Sequence, residues 1–309
     1  MITDYKKVFD TIVEQTAKYV TDNNLKAMVL GISGGIDSTV VAAICYEVSI
    51  LTGVPLIGRS LPTKYNKKDE VSTARLVGNA FCNSFTEVPI KNIYDTFQAV
   101  VTTNEGTSTP LSRGNIQARL RMIYLYNLAG IMRGLVMDTD NLTENNLGYF
   151  TIHGDVGDFN PIGGLWKTEV FKLAEFLVEK YSIQSHFFET YDIQKGDHSD
   201  YARCNAVAKS LKLKPTAGLG ITSDDLEELG AESYEQVDSI LKVILAWKQF
   251  AKKRGDFPEN LNEQKEMFLD EQQMLNIPID IILKVTDKHF KSSFKRKQLP
   301  IKIDRSLLV

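Results

Sequence analysis

Residues 31–38 read Gly-Ile-Ser-Gly-Gly-Ile-Asp-Ser, and their types and order suit phosphate chemistry. The run Lys26-Ala-Met-Val-Leu-Gly-Ile32 before them is short and apolar, as a buried strand is. The run Thr39-Val-Val-Ala-Ala-Ile-Cys-Tyr-Glu47 after them reads as a buried helix. A glycine-rich turn thus joins a strand to a helix N-terminus, where unpaired N–H groups and the positive end of the dipole meet an anion. Gly34 and Gly35 allow close approach of the backbone. Ser33 and Ser38 add hydroxyl donors. Asp37 is out of place beside phosphate unless Mg²⁺ lies between them. The chain has no Gly-x-x-x-x-Gly-Lys-Ser/Thr loop, and no Gly-x-Gly-x-x-Gly follows a strand. A tight turn with a capping Asp or Ser is the plain alternative; the order and context of the residues favour the phosphate reading.

Two other segments carry candidate chemistry. The stretch Thr139–Glu169 follows an apolar run, Gly134-Leu-Val-Met137, and is rich in Gly, Asn and Asp without periodicity. It reads as a long loop, and long loops inside compact domains are usually functional. Glu144 is placed to complete a Mg²⁺ site with Asp37, and Lys167, just before an apolar helix, to lean on a phosphate. Each alone is more often a surface charge. The helix expected over residues 115–133 has two apolar faces, Ile116/Leu120/Ile123/Ile131 and Ala118/Met122/Leu125/Ala129. Burial on both sides fits one face on this subunit's core and the other on a second copy, with Leu125 expected on the partner side. Arg119 borders the first face and Arg121 points away from it. A guanidinium at the edge of a buried face is often held there for an anion.

These residues need elements to position them. A helix is expected over about residues 4–21, strands over 52–58 and 87–90, and a helix over 68–80. Strands alternating with helices imply a doubly wound parallel sheet with helices on both faces. Ligands of such sheets bind at the carboxyl ends of the strands, where the loop at 31–38 lies.

The Ser-Gly-Gly-x-Asp-Ser pattern resembles the pyrophosphate loop of the ATP pyrophosphatases, which split ATP between its α- and β-phosphates. Almost the whole chain resembles the NAD synthetase family. The likeness rests on Ser33–Ser38, on Asn115-Ile-Gln-Ala-Arg-Leu-Arg-Met122, on Thr139 to Lys167, on Pro215-Thr-Ala217 and on Lys295-Arg-Lys-Gln298. The resemblance implies the adenine nucleotide alpha hydrolase-like fold. It also implies a ligase that adenylates the carboxylate of deamido-NAD with ATP, then amidates it with ammonia to give NAD, AMP and pyrophosphate. By the same resemblance Gly31, Ile32, Ser33, Gly34, Gly35, Ile36, Asp37 and Ser38 cradle ATP, with Thr139, Lys167 and Thr216. Asp37 and Glu144 hold Mg²⁺. Arg119 and Asp158 hold deamido-NAD, and the basic run with Lys295 and Arg296 closes over the site. Asp37, Lys167, Lys295 and Arg296 are the implied catalytic set. The sequence departs from the family at Ile152, where many ammonia-dependent members carry a lysine, and its adenine-side segment Ser60–Glu70 lacks a common glutamine.

Composition bounds the alternatives. The 309 residues, 43% hydrophobic and 24% charged with net charge −3, suffice for a large core read as one domain over residues 1–309. That balance gives no hint of nucleic-acid binding, and no apolar run is long enough for a membrane span. Three widely spaced cysteines suit a reducing cytoplasm, and no Cys-x-x-Cys pair is present. About 30 residues precede the loop, short of the roughly 100 of a typical domain. The expectation is therefore direct use of free ammonia without a glutaminase domain, in a cytoplasmic homodimer. Two rivals remain: an ATP pyrophosphatase acting on another substrate, GMP-synthetase-like or tRNA-thiolating, and a non-catalytic nucleotide-binding regulator.

Overall fold

In the computed structural model the residues described are 2–189, 199–214, 225–271, 277–298, 301–302 and 305–307. The apolar run before the loop forms β1 (Met28–Gly31), after an opening helix α1 (Tyr5–Asp22). There follow α2 (Ile36–Thr52), β2 (Leu56–Ser60), α3 (Lys68–Phe81), β3 (Ser84–Glu87), α4 (Lys91–Glu105) and α5 (Pro110–Met132). Next come β4 (Leu135–Met137), α6 (Leu142–Leu147), β5 (Phe159–Asn160), α7 (Lys167–Glu189) and α8 (Asp200–Leu211). The chain continues through α9 (Asp225–Leu229), α10 (Tyr234–Arg254), α11 (Leu261–Glu271), α12 (Ile279–Lys291) and β6 (Ile301–Lys302). Two 3₁₀ turns, Lys295–Gln298 and Arg305–Leu307, flank β6.

The strands form one sheet in the order β3-β2-β1-β4-β5-β6, every pair parallel. The chain moves outward from β1 to β3, then returns to the other side of β1 with β4. This reversal opens a crevice between the loops leaving β1 and β4, the usual ligand position in a doubly wound sheet. Alternate residues of β1 explain the layers. Leu30 packs with Ile12, Ile44 and Leu177 of α1, α2 and α7, whereas Val29 packs with Ile57, Val136, Leu125 and Ala129. A third cluster joins α10, α11 and α12 through Ile240, Ile244, Phe268 and Val285, and it takes in Leu147 and Trp166 from beside the sheet.

Several boundaries differ from the sequence reading. Pro55 lies before β2 rather than inside it, because proline cannot donate to a ladder. Pro89 likewise lies beyond β3, which is a short, half-exposed edge strand. The stretch 139–169 is not a featureless loop. It holds α6, closed by an Asn141–Glu144 capping box, and the two-residue β5. α5 starts earlier than expected, at Pro110, with Thr109 as its N-cap.

The two faces of α5 are the reverse of the expectation. Ala118, Leu125 and Ala129 are buried in this subunit's own core, while Leu111, Ile123 and Ile131 lie more than three-fifths exposed, at 62%, 62% and 70%. The face left exposed is therefore the isoleucine row.

Candidate active site

Gly35 is the N-cap of α2 and contributes no side chain, so the first-turn amides of this helix face the crevice uncapped. Gly34 has φ +88°, and a β-carbon there would collide with the Glu70 carbonyl oxygen of α3. The loop is thus seated against α3 by a residue that only glycine fits. Ser33 and Ser38 pair with each other at 2.9 Å, Gly35 N–H donates to Ser33 Oγ, and Ser38 Oγ donates to the Gly35 carbonyl. Ser38 therefore shapes the loop from within, buried, rather than standing free as a donor.

Beside the loop, with Asp37 in the first turn of α2, stands the charged centre. Lys167 Nζ lies 2.5 Å from Asp37 Oδ2 and 2.9 Å from Glu144 Oε1. The lysine is 1% exposed. Asn141 Nδ2 donates to the other Asp37 oxygen at 2.9 Å, and Asn141 N–H donates to Glu144 Oε2. Burial works against the charge on Lys167, but the Asp37 and Glu144 carboxylates hold its ammonium well above the ordinary lysine value. Burial, and then the Asp37 charge, push the Glu144 carboxyl up to about 8. The site is short of positive charge. Among the described residues no group of three or more His, Cys, Asp or Glu could hold a metal ion. Two carboxylates do suit Mg²⁺, which typically takes one or two of them plus phosphate oxygens.

Asp238, buried on α10, fixes the start of α7. It accepts from Thr143 Oγ1, from Thr168 Oγ1 and from the Thr168 N–H, while Thr143 Oγ1 accepts the Lys167 N–H. One side chain from the helical cluster thus ties α6, which carries Glu144, to α7, which carries Lys167. Sequence reading missed Asp238; only its place on an apolar helix face hinted at a buried partner.

The crevice is a cavity of about 680 Å³. Its wall includes Gly31, Ile32, Ser33, Gly35, Ile36, Asp37, Ser38, Thr139, Glu144, Lys167 and Lys295, so the structure brings most of the expected residues together. Lys295 Nζ is held by the Gly148 and Phe150 carbonyls at 2.7 and 2.6 Å. Thr216 lies outside the described residues.

Three expected ligands stand elsewhere. Arg119 is exposed, its guanidinium 3.4 Å from the Ile152 carbonyl, and does not line the cavity. It follows the isoleucine row of α5, away from the core. Arg121 takes the cavity position instead, donating to the Leu61 carbonyl and Asn66 Oδ1 at 3.1 Å each. Asp158 accepts the Val136 N–H of β4 and so braces the strand end. Arg296 is turned away from the cavity, donating to the carbonyls of Asn146 and His289 and to Ser292 Oγ. The cavity also exposes acids that the sequence reading did not single out, Asp140 and Asp155.

A parallel sheet in this order, with a glycine-rich anion loop and a buried Asp–Lys–Glu centre at its switch point, defines a nucleotide-binding α/β protein of the ATP pyrophosphatase fold. The NAD synthase family model matches residues 8–299. A relative named NH(3)-dependent NAD(+) synthetase, from Methanocaldococcus jannaschii, is 31% identical over 299 residues, 94% of this chain and 96% of that protein. Among solved structures, an NMN synthetase from Francisella tularensis gives a TM-score of 0.68 at 24% identity, covering 96% of this chain and 97% of that one. An NH3-dependent NAD synthetase from Campylobacter jejuni gives 0.63 at 24% identity, covering 98% and 100%. The chain belongs to the NAD synthase family.

Proposed function

We propose that this chain is an ammonia-dependent NAD synthetase, a ligase that forms the C–N bond of the nicotinamide amide. ATP and deamido-NAD are its substrates with ammonia. The carboxylate of deamido-NAD attacks the α-phosphate of ATP; pyrophosphate leaves and an acyl adenylate forms. Ammonia then attacks the acyl carbon, and AMP leaves. The observation that carries this reading is the buried Lys167 ammonium between Asp37 and Glu144, set beside the uncapped first turn of α2 in one cavity wall.

The chemistry asks mainly for positioning and for neutralised charge. The amides of residues 33–38 receive phosphate oxygens, with Thr139 beside them and Thr216 as a further contact. Lys167 meets the charge that develops as pyrophosphate departs. Asp37 and Glu144 would hold Mg²⁺, which would supply positive charge to offset that of the phosphates. Lys295, on the opposite wall, faces the adenylate and helps to exclude water from it. Deamido-NAD extends toward Arg119 at the edge of the isoleucine row, which packs against a second copy in a homodimer. Asp158 and Arg296 act on this ligand through the backbone they brace. The working unit is a single domain over residues 1–309, acting in the cytoplasm. No helix among the described residues is long and apolar enough to cross a membrane.

The test is purified protein with ATP, Mg²⁺, ammonium and deamido-NAD, assayed for AMP and NAD. Equimolar AMP and NAD are expected. Nicotinate mononucleotide serves as the comparison acid, since the Francisella structure is named for the corresponding amide. AMP release that depends on a different acid would overturn the substrate assignment.

A further inference from the structure

Among the described acids of the cavity wall, Asp140 differs in having a buried carboxylate oxygen that accepts no hydrogen bond. The residue is 7% exposed, and its Oδ2 is buried without a hydrogen-bond donor. Its backbone is fully engaged: the N–H donates to Asp138 Oδ1 at 2.7 Å, and the carbonyl accepts from Asn160 Nδ2 at 2.8 Å. The backbone is therefore fixed in the cavity wall; Lys295 feels the charge of the carboxylate, yet among the described residues no donor reaches its Oδ2. A buried carboxylate oxygen without a donor is costly unless a ligand completes it. Asp140 comes three residues after the end of β4, so it stands at the switch point beside the loop that leaves β1.

The surroundings call for a cation. Burial, then the charges of Asp138, Asp155, Glu144 and Asp37, hold the Asp140 carboxyl well above the ordinary carboxylate range. The other acids are already engaged. Asp138 accepts from the Asp140 and Gly157 amides and from Asn160, Asp155 accepts the Thr151 N–H, and Asp37 and Glu144 share Lys167. A divalent ion demands several oxygen ligands at once, and Asp140 offers a single carboxylate behind neighbours that are taken. A monovalent ion that donates hydrogen bonds is satisfied by fewer acceptors. The reaction has one substrate of that kind.

We propose that the Asp140 carboxylate seats the ammonium ion that becomes the nitrogen nucleophile. The inference rests on the ammonia-dependent reading above and names the group that receives its third substrate. Ammonium passes one proton to Asp140 and becomes ammonia. The nitrogen lone pair forms the C–N bond at the acyl carbon, the C–O bond to the adenylate phosphate breaks, and AMP leaves with that electron pair. The second nitrogen proton goes to solvent.

The two half-reactions separate the outcomes. Deamido-NAD-dependent exchange of pyrophosphate into ATP reports adenylation. Hydroxylamine, uncharged near neutral pH, reports access of a nucleophile that needs no carboxylate to capture it. Asp140→Asn is expected to keep the exchange and hydroxylaminolysis near wild-type rates, and to raise KM for ammonium by about ten- to a hundredfold. Asp140→Ser, smaller and uncharged, is expected to behave alike, and thermal melting checks that both variants are folded. An unchanged KM for ammonium in both folded variants overturns the proposal. So does loss of exchange that added Mg²⁺ restores, which would assign Asp140 to the metal. Wild-type protein without deamido-NAD-dependent exchange would instead refute the reaction itself.

Discussion

Lys167 shows what one residue does when two carboxylates depend on it. It is buried with both partners within 3 Å, Asp37 at 2.5 and Glu144 at 2.9 Å. Removing one side of such a cluster leaves uncompensated buried charge and costs about 3–5 kcal/mol. Lys167→Met should therefore lower the melting temperature by several degrees as well as abolish AMP formation. Lowering the pH from alkaline to neutral should return part of the loss by protonating Glu144, whose carboxyl lies at about 8 even beside the lysine. A variant as stable as wild type above neutral pH would contradict the charge-centre reading. Glu144 itself gives a prediction of sign. Its carboxyl is pushed up from 4.5 to about 8 in the folded chain, so the folded state holds the proton more tightly and stability falls as pH rises through that window. Each unit is about 1.4 kcal/mol, and the coupling to Lys167 spreads the titration over the pair. Glu144→Gln lacks this titration. Relative to it, the wild type should lose up to a few kcal/mol between about pH 5 and about pH 8, measured by denaturant unfolding without ligand. Equal pH slopes for the two proteins would show that Glu144 is not perturbed. Asp37, Glu144 and Lys167 were legible in the sequence because each sits inside a motif. Asp140, Asp238 and Arg121 were not, because a buried acid or a cavity-facing arginine looks in one dimension like any surface charge.

At the scale of elements, α5 is the instructive case. Its pattern is apolar on two sides, and the sequence has no means of saying which side meets its own sheet. The structure decides by packing: Leu125 and Ala129 lie against Val29, Ile57 and Val136, and Leu125 contacts the place where a β-carbon of Gly31 would be. Leu111, Ile123 and Ile131 are exposed, and so are Ile93, Phe97 and Val100 of α4, the helix that packs on α5. Large apolar side chains exposed on neighbouring helices are what an interface covers. In the proposed homodimer, Ile123→Glu should give a monomer that keeps its melting temperature, whereas Leu125→Glu should collapse the fold by placing a charge in the core. Sedimentation separates the two results, and a wild-type monomer at micromolar concentration removes the dimer altogether. Strands that sit between two helical layers, β1 and β4, were readable as apolar runs. β5 and β6 pair over two residues each, and no periodicity exists in two residues. α6 was hidden for another reason. Its six residues rely on a capping box and on burial of Leu147 rather than on an amphipathic repeat.

The whole molecule brings together residues that the chain keeps far apart, and the segment beyond α12 shows how. The sequence reading treated Lys295 and Arg296 as one basic patch over the active site. In the fold they face different ways. Lys295 reaches the cavity wall, while Arg296 donates to the Asn146 and His289 carbonyls at 2.9 and 2.7 Å and to Ser292 Oγ at 2.9 Å. Asn146 belongs to α6, the helix of Glu144, and His289 to α12, so one guanidinium fastens the site helix to the helical cluster. Further along, β6 joins the sheet edge beside β5, and Arg305 engages both oxygens of Glu169 in the first turn of α7, two residues after Lys167. The segment therefore braces α6 and the first turn of α7, which carry Glu144 and Lys167. Hydrogen bonds to a charged group contribute about 1.5–3 kcal/mol each, although bonds that share one side chain are not additive. Arg296→Ala should lower unfolding free energy by about 2–4 kcal/mol. It should also reduce kcat moderately, with the loss recovered as temperature is lowered. Lys295→Ala gives up its bonds to the Gly148 and Phe150 carbonyls and should also cost stability, but it should lower kcat by about ten- to a thousandfold with no recovery on cooling, because it removes a cation from the cavity as well. Steady-state kinetics and calorimetry on the two single variants distinguish these roles. If Arg296→Ala melts like wild type while losing the same activity as Lys295→Ala, the pair acts as one patch on the ligand and the brace is wrong.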